Sequence, residues 1–350
     1  MRCVFLKTAD STIISKRERG VQVKMKFTKN QWIALAGICC SVIICITMTL
    51  FVFFFNPQRT FTITETFRIT SASDSETYLR VALPIDGGYQ AIEDLLVEGA
   101  QSYVIDYFDG WRELVISVPA SGGEVLITIS YTATLFRNVS PWEGIVFDEY
   151  TSPQQFIDSD DEAIIILAAQ LRGDNDFQTA QNIHDYVYEL LSWPSASQIN
   201  TTRLYASELL VSPVGVCGDF ANLMIALLRA EGIPARNISG LALQIPLSRA
   251  SDWSHQGDAH AWVEFYVDGS WHFADPSWGL FGRNATTHLS FGTFDMYVSS
   301  NFQQNRGAAI EDRGFLITGW MTAPLNFIFY STDENATILP RGEVRFSWLR

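Results

Sequence analysis

Lysine is missing from this chain after Lys29, and only one of its five cysteines, Cys217, lies beyond Cys45. Each scarcity excludes something. With a single cysteine in the long C-terminal part, no disulfide can form within it. With no lysine there, that part cannot be cross-linked to its own copies through an amine side chain. Basic residues are few as well: 16 arginines stand against 36 acids after the first 55 residues, a balance opposed to nucleic acid or anionic lipid as the main partner. Five scattered histidines and one outer cysteine give no tetrahedral ligand spacing, so no metal or other cofactor is implied. Internal repeats and low-complexity segments are also missing.

Long apolar runs are present once. Trp32 to Phe55 carries no charged residue, and 24 residues at about 1.5 Å each extend roughly 36 Å, enough to cross a bilayer. The run leaves through bulky residues into Asn56-Pro-Gln-Arg59, unlike a cleavable signal peptide, and reads as an uncleaved transmembrane helix. Eight of the 24 basic residues precede it against two acids, which places residues 1–31 in the cytoplasm and the rest beyond the membrane. Met25 has the form of an alternative start. The expectation is a single-pass plasma-membrane protein with its larger part extracytoplasmic.

Residues 56–150 alternate and are rich in Thr, Ile, Val and Tyr, as in Thr60 to Ile69, Tyr78 to Leu83, Glu113 to Val118 and Glu124 to Thr134. Turn signals at Pro84, Gly87-Gly88, Asp109-Gly110 and Ser121-Gly122-Gly123 separate the strands and predict an antiparallel β-sandwich. Its expected role is to hold the next domain off the membrane or to support one of its faces. Helical periodicity follows over Ala163–Leu171 and Phe177–Leu191, the acidic run Asp158 to Glu162 suiting a helix N-terminus. Residues 301–350 read as a β-rich C-terminal extension without assignable function. Sequons at Asn138, Asn200, Asn237, Asn284 and Asn335 are possible glycan acceptors.

Within residues 151–300, Pro213 and Gly215 break the chain before Cys217, and Phe220, Leu223, Met224, Leu227 and Leu228 recur at helical spacing until Gly232 and Pro234. A thiol at the mouth of such a helix meets the positive end of the macrodipole, which favours the nucleophilic thiolate. The alternative is an inert buried cysteine. Downstream, His260 to Asp275 forms a β-hairpin about Asp268-Gly269. A two-residue turn there pairs positions whose numbers sum to 537, so Asp275 lies opposite Trp262, with His260 as its diagonal neighbour on the same face. His272 projects from the opposite face with Ala261, Val263, Phe265 and Val267. His255, on the preceding polar loop, has no fixed direction.

Five segments in order, Ile183-His-Asp-Tyr-Val187, Gly215-Val-Cys217-Gly-Asp-Phe-Ala221, Leu227 to Arg236, His260-Ala-Trp-Val-Glu264 and Asp275-Pro-Ser-Trp278, give the chain from Ile164 to Gly279 a form that resembles the transglutaminase-like superfamily of cysteine enzymes. That resemblance implies an α+β, papain-like core preceded by the all-β sandwich and the transmembrane helix. It implies Cys217 as nucleophile, His260 as general base and acid, and Asp275 as the group orienting the imidazole. The backbone amide of Cys217 is one expected oxyanion donor, and Trp193 is the candidate for a second. The expected reaction opens an amide or peptide bond of a peptide or protein substrate through a thioester acyl-enzyme, with water slightly favoured over an amine as acceptor. Trp253, Trp262, Trp271 and Trp278 are candidates for an aromatic wall excluding water. The alternative function is a surface module that binds peptide or glycan without turnover.

Overall fold

Hydrophobic alternation organises the strands of the chain into antiparallel sheets, described by a computed structural model over residues 5–8, 11–18, 21–26, 30, 33–34, 37–38, 41–42, 58–108, 110–137, 141–194, 204–243, 250–252, 257–284, 286–293, 315–319, 327–333 and 335–347. Residues 1–56 and 57–350 are two separate units. In the first, β1 (Phe5–Thr8), β2 (Ser11–Glu18) and β3 (Val21–Lys26) form a three-stranded sheet. Most of the apolar run 32–55 lies outside the described residues, among which no helix is long and apolar enough to cross a membrane.

The second unit begins with β4 (Gln58–Thr70), whose alternation buries Arg59, Phe61, Ile63, Glu65, Phe67 and Ile69 on one face. β5 (Thr77–Leu83), β6 (Gln90–Glu98), β7 (Ser102–Phe108), β8 (Trp111–Ser117) and β9 (Glu124–Phe136) follow. Two five-stranded sheets result. One includes β9 and β6 beside β4, and the other includes β5, β8 and β7. Their inner faces share one core built on Phe61, Phe67, Leu79, Leu114, Ile127 and Tyr131.

The described strands of the β-rich C-terminal extension pair with this sandwich. β17 (Phe327–Ser331) pairs with β5, and β16 (Phe315–Gly319) pairs with β17. β18 (Thr337–Ser347) runs the length of β4 from Thr337 against Thr70 to Ser347 against Thr60. The reason is pairing: β4 has a second edge, and only a strand from far along the chain is left to satisfy its backbone groups.

Between these sandwich segments the chain builds the α+β part. The helices are α1 (Glu162–Gln170), α2 (Asp176–Leu190), α3 (Ala206–Leu209) and α4 (Cys217–Ala230). Asp161 and Asn175 cap α1 and α2 by accepting from the amides of Ala163 and Gln178. A sheet follows in the order β14 (Leu280–Phe281), β13 (Ser270–Asp275), β12 (Gly257–Val267), β10 (Ala235–Leu243), β15 (His288–Ser290). β11 (Ala250–Asp252) leaves it to pair with β18. Val263, Phe265, Val267 and Ala274 pack on α4, which is buried along nearly its whole length. The other face carries His260, Trp262, Glu264 and Asp275. Leu241, Leu243, Leu289 and Phe291 of this sheet join the sandwich core itself. Tyr89, on the approach to β6, donates from its hydroxyl to Glu264 Oε1 at 2.8 Å, while Arg236 Nε and Nη2 donate to Oε2 at 2.8 and 2.7 Å. The sandwich is therefore a structural partner of the sheet.

Candidate active site

Cys217 is the first residue of α4, and the turn that delivers it is dictated locally. The Asp219 carboxylate accepts from the amide of Val216 at 2.8 Å, closing the helix start, and a Cβ on Gly215 would lie 2.5 Å from the Asp219 Cβ. Only glycine fits there. The amide of Cys217 belongs to the first helical turn, whose N–H groups point out of the helix end. Trp193 stacks on Phe220 of that same turn with ring centroids 5.9 Å apart and is half exposed. Its loop is tied to the approach of α4, because Gly215 N donates to Ser192 O at 3.1 Å.

The hairpin has the register expected for it, Val267 opposite Ser270 and Val263 opposite Ala274. Asp268 and Gly269 adopt φ values of 53° and 80°, the left-handed pair of a two-residue turn matched to the strand twist. His260 and Asp275 meet: His260 Nε2–H donates to Asp275 Oδ2 at 2.8 Å. That leaves the other ring nitrogen for Cys217, with which His260 also hydrogen-bonds. His272 lies on the opposite face, stacked on Phe265, and its Nε2 is 3.3 Å from Val267 O. His255 and Trp253 lie outside the described residues.

A further histidine, absent from the sequence reading, completes the group. His288 Nε2–H donates to the same Asp275 Oδ2 at 2.9 Å, and both side chains are fully buried. The other oxygen, Oδ1, accepts from Ser277 N at 2.8 Å, Ser277 Oγ at 2.7 Å and Trp278 N at 3.2 Å. His184, inside the first quoted segment, reaches the Asp275 backbone carbonyl from α2 at 3.3 Å. The Asx turn at Oδ1 is a local feature of Asp275-Pro-Ser-Trp that is also absent from the sequence reading. Nothing local signalled His288, because its strand is three residues long and meets the site only through the closed sheet.

Charge follows from these contacts. Burial disfavours ionised Asp275, but the bonds from His260 and His288 outweigh it and hold the carboxyl well below the usual carboxylate range. Burial likewise opposes a charged His260, yet its bonds to Asp275 and Cys217 push it up to about 10. Burial dominates at His288, whose pKa is lowered. It is a neutral donor. The ligand atoms of His260, Asp275 and His288 lie within 4.8 Å of one another, a spacing that suits a metal ion. Both imidazole Nε2 atoms are occupied as donors to the carboxylate, however, a state in which a nitrogen has no lone pair to ligate.

The tryptophans divide. Trp262 and Trp271 are fully buried packing residues, Trp262 against Phe273 and the His288 edge and Trp271 beneath the Arg236 guanidinium at 4.0 Å. Trp278 alone of the described members of that set is both at the site, 5.0 Å from the His260 ring, and substantially exposed at 42%. The sequon at Asn284 is buried, and its amide nitrogen donates to His288 O at 3.3 Å, so the folded chain offers no acceptor there.

Residues 166–276 match the family model of the transglutaminase-like superfamily. An uncharacterised protein of Mycobacterium leprae is 38% identical over 79 residues, covering 22% of this chain and 28% of that protein. A protein-glutamine gamma-glutamyltransferase of Pseudomonas aeruginosa is 40% identical over 67 residues, covering 18% of this chain and 10% of that protein. The match thus spans about a quarter or less of each relative's length. Among solved structures, a candidate cysteine protease from Cytophaga hutchinsonii aligns over 83% of this chain and 98% of its own, at 17% identity and a TM-score of 0.48. The periplasmic domain of TgpA from Pseudomonas aeruginosa aligns over 61% and 88% at 15% identity, with a TM-score of 0.35.

Proposed function

For a chain whose residues 166–276 form a transglutaminase-like domain, we propose a membrane-anchored cysteine enzyme that opens amide or peptide bonds of a peptide or protein through a thioester. The observation that carries this reading is the hydrogen-bonded series Cys217, His260, Asp275 at the start of α4, with the His260–Asp275 bond at 2.8 Å. Cys217 Sγ attacks the carbonyl carbon as thiolate beside the His260 imidazolium. The S–C bond forms, the C–N bond breaks, and His260 passes its proton to the departing amine. Water or a second amine then attacks the thioester carbon, giving its proton to His260, and the C–S bond breaks to release the acyl product and return Cys217 as thiolate beside the imidazolium. The Cys217 amide, with Trp193 as the second candidate, stabilises the oxyanion. Hydrolysis is favoured over transfer because the aromatic groups Trp193 and Trp278 at the site are both substantially exposed, and water at about 55 M reaches an open cleft.

The charge-free run 32–55 and its basic N-terminal flank support a single-pass anchor with residues 1–31 cytoplasmic and the enzyme outside. The deciding experiment incubates the purified protein with a glutamine-containing peptide and a labelled primary amine, and compares free acid or cleaved product with amine adduct. Predominant adduct at millimolar amine makes it a transferase. No product of either kind, together with Cys217 alkylating only at the pH of an ordinary thiol near 8.5, establishes the binding module. A protease added outside sealed cells tests the topology, since protection of the Cys217 domain would reverse it.

A further inference from the structure

We propose that His288 is a positioning residue of this site, a second imidazole that fixes the Asp275 carboxylate, and that the β-sandwich holds it in place. The inference rests on the cysteine-enzyme reading above. His288 is fully buried, and its Nε2–H points at the Oδ2 that receives the His260 proton donor, so both imidazoles share one oxygen. A carboxylate only accepts, which assigns Nε2–H to both rings. The Thr287 hydroxyl lies 3.3 Å from His288 Nδ1. Asn284 Oδ1 lies 3.1 Å from the same nitrogen and accepts from the amides of Thr287 and His288 at 3.4 and 3.3 Å, closing the loop around the ring.

With three donors on Oδ1 and two on Oδ2, Asp275 has one orientation available. Among the described residues, His288 is the only one of its side-chain partners, apart from His260, that comes from another part of the chain, and it opposes rotation of the carboxylate towards the Ser277 turn. The consequence is a His260 imidazolium held in line with Cys217.

β15, which carries His288, is the last strand of its sheet and pairs with β10 on one side only. Its outer edge is completed by the sandwich. Gln90 acts as a substitute strand: Ser290 N donates to its Oε1 at 2.7 Å, and its Nε2 donates back to Ser290 O at 2.9 Å. Ile85 N also donates to Ser290 O, at 3.2 Å, and Thr293 N to Gly110 O, at 2.9 Å. A free edge of three residues would fray. The sandwich thereby reaches the site through two residues of backbone, from Ser290 to His288.

The test measures kcat, KM and the pH dependence of Cys217 alkylation in the full-length protein with His288→Leu, His288→Gln and Gln90→Leu. Leu removes the donor at similar volume, whereas Gln keeps a neutral N–H donor. For His288→Leu, kcat falls about tenfold or more with KM near the wild-type value, a size like that seen for the partners that orient metal-ligating histidines. Its alkylation midpoint rises by about one pH unit, because a loosely held imidazolium favours the thiolate less. His288→Gln restores most of both, and Gln90→Leu shifts both in the same direction by less. If His288→Leu does not fold, Thr287→Val, which removes the hydroxyl in contact with Nδ1 without changing shape, takes its place with the same directions expected. A folded His288→Leu, or Thr287→Val in its stead, with wild-type kcat and alkylation midpoint overturns the proposal. So does a His288→Gln protein no better than His288→Leu. Failure of the underlying reading is distinct: there the wild-type protein itself shows an ordinary alkylation midpoint, or Cys217→Ala retains full turnover.

Discussion

Of the buried carboxyl groups in the 57–350 unit, Glu65 and Asp275 end in opposite charge states. Glu65 points from β4 into the sandwich core, where among the described residues it has one donor, the Tyr131 hydroxyl at 3.1 Å, and its Oε2 has no hydrogen-bond partner. Burial pushes it up to about 8. Asp275 is equally buried but accepts five hydrogen bonds, and its pKa is lowered. Burial does not decide charge by itself. The number of donors does, because each contributes to the ionised form while desolvation is much the same for both. The sandwich keeps a neutral acid, and the candidate active site keeps an anion.

The largest expected break in this contrast is Asp275→Asn. The amide preserves shape but presents no charge to two imidazoles, and kcat should fall by about 10³ to 10⁴, as for other triads that lose their orienting carboxylate. Steady-state kinetics on the purified protein measures it, and a loss below tenfold would remove Asp275 from the mechanism.

Next comes the pH dependence of stability, where the two acids differ in sign. Glu65 has a folded pKa above its unfolded value of 4.5, so between pH 4.5 and about 8 the folded state binds more protons. Its contribution is full below pH 4.5 and is lost as pH rises through 8, with a slope of at most about 1.4 kcal/mol per unit. Denaturant titrations of Glu65→Gln should lack that decline. Asp275 acts oppositely, its contribution being present above about pH 3.8 and lost as pH falls. His260, raised from 6.5 to about 10, contributes fully below 6.5 and loses its contribution towards 10. The stability advantage of the wild type over His260→Gln should therefore shrink across pH 6.5–10, and an advantage constant over that range would refute the raised value.

The smallest effect belongs to the sandwich pair itself. Tyr131→Phe should cost about 1 kcal/mol by leaving Glu65 without its donor. Glu65→Leu with Tyr131→Phe should be close to neutral, since both partners leave together. Thermal unfolding of the two variants sharpens the contrast, because the corresponding removal of Asp275 and His288 together would be far from neutral for turnover.

Local rules made part of this legible beforehand. Residues such as Phe61, Ile63, Phe67 and Ile69 alternate at period two whatever they pair with, so β4 and β9 were readable, as were α1, α2 and α4 from their 3.6-residue spacing and caps. The hairpin register follows from a two-residue turn, and that register alone brings His260 to Asp275. β6 and β7 were not anticipated: β6 buries little beyond Gln90, and β7 exposes Tyr103, Val104 and Tyr107, so neither displays clean alternation.

By itself, then, the amino-acid order determined what depends on neighbours within a few residues: the thiol at a helix mouth, the His260–Asp275 hairpin, the Asx turn at Ser277, and the apolar run 32–55 with its basic flank. Tertiary structure decided what depends on distant edges meeting. β18 reaches β4 across more than half the chain, Gln90 meets Ser290 over 200 residues, and His288 finds Asp275 only once β15 has been placed beside β10. The physical reason is that an unpaired strand edge and an unfilled lone pair have no sequence period. They are satisfied by whichever segment the whole fold brings within hydrogen-bond distance.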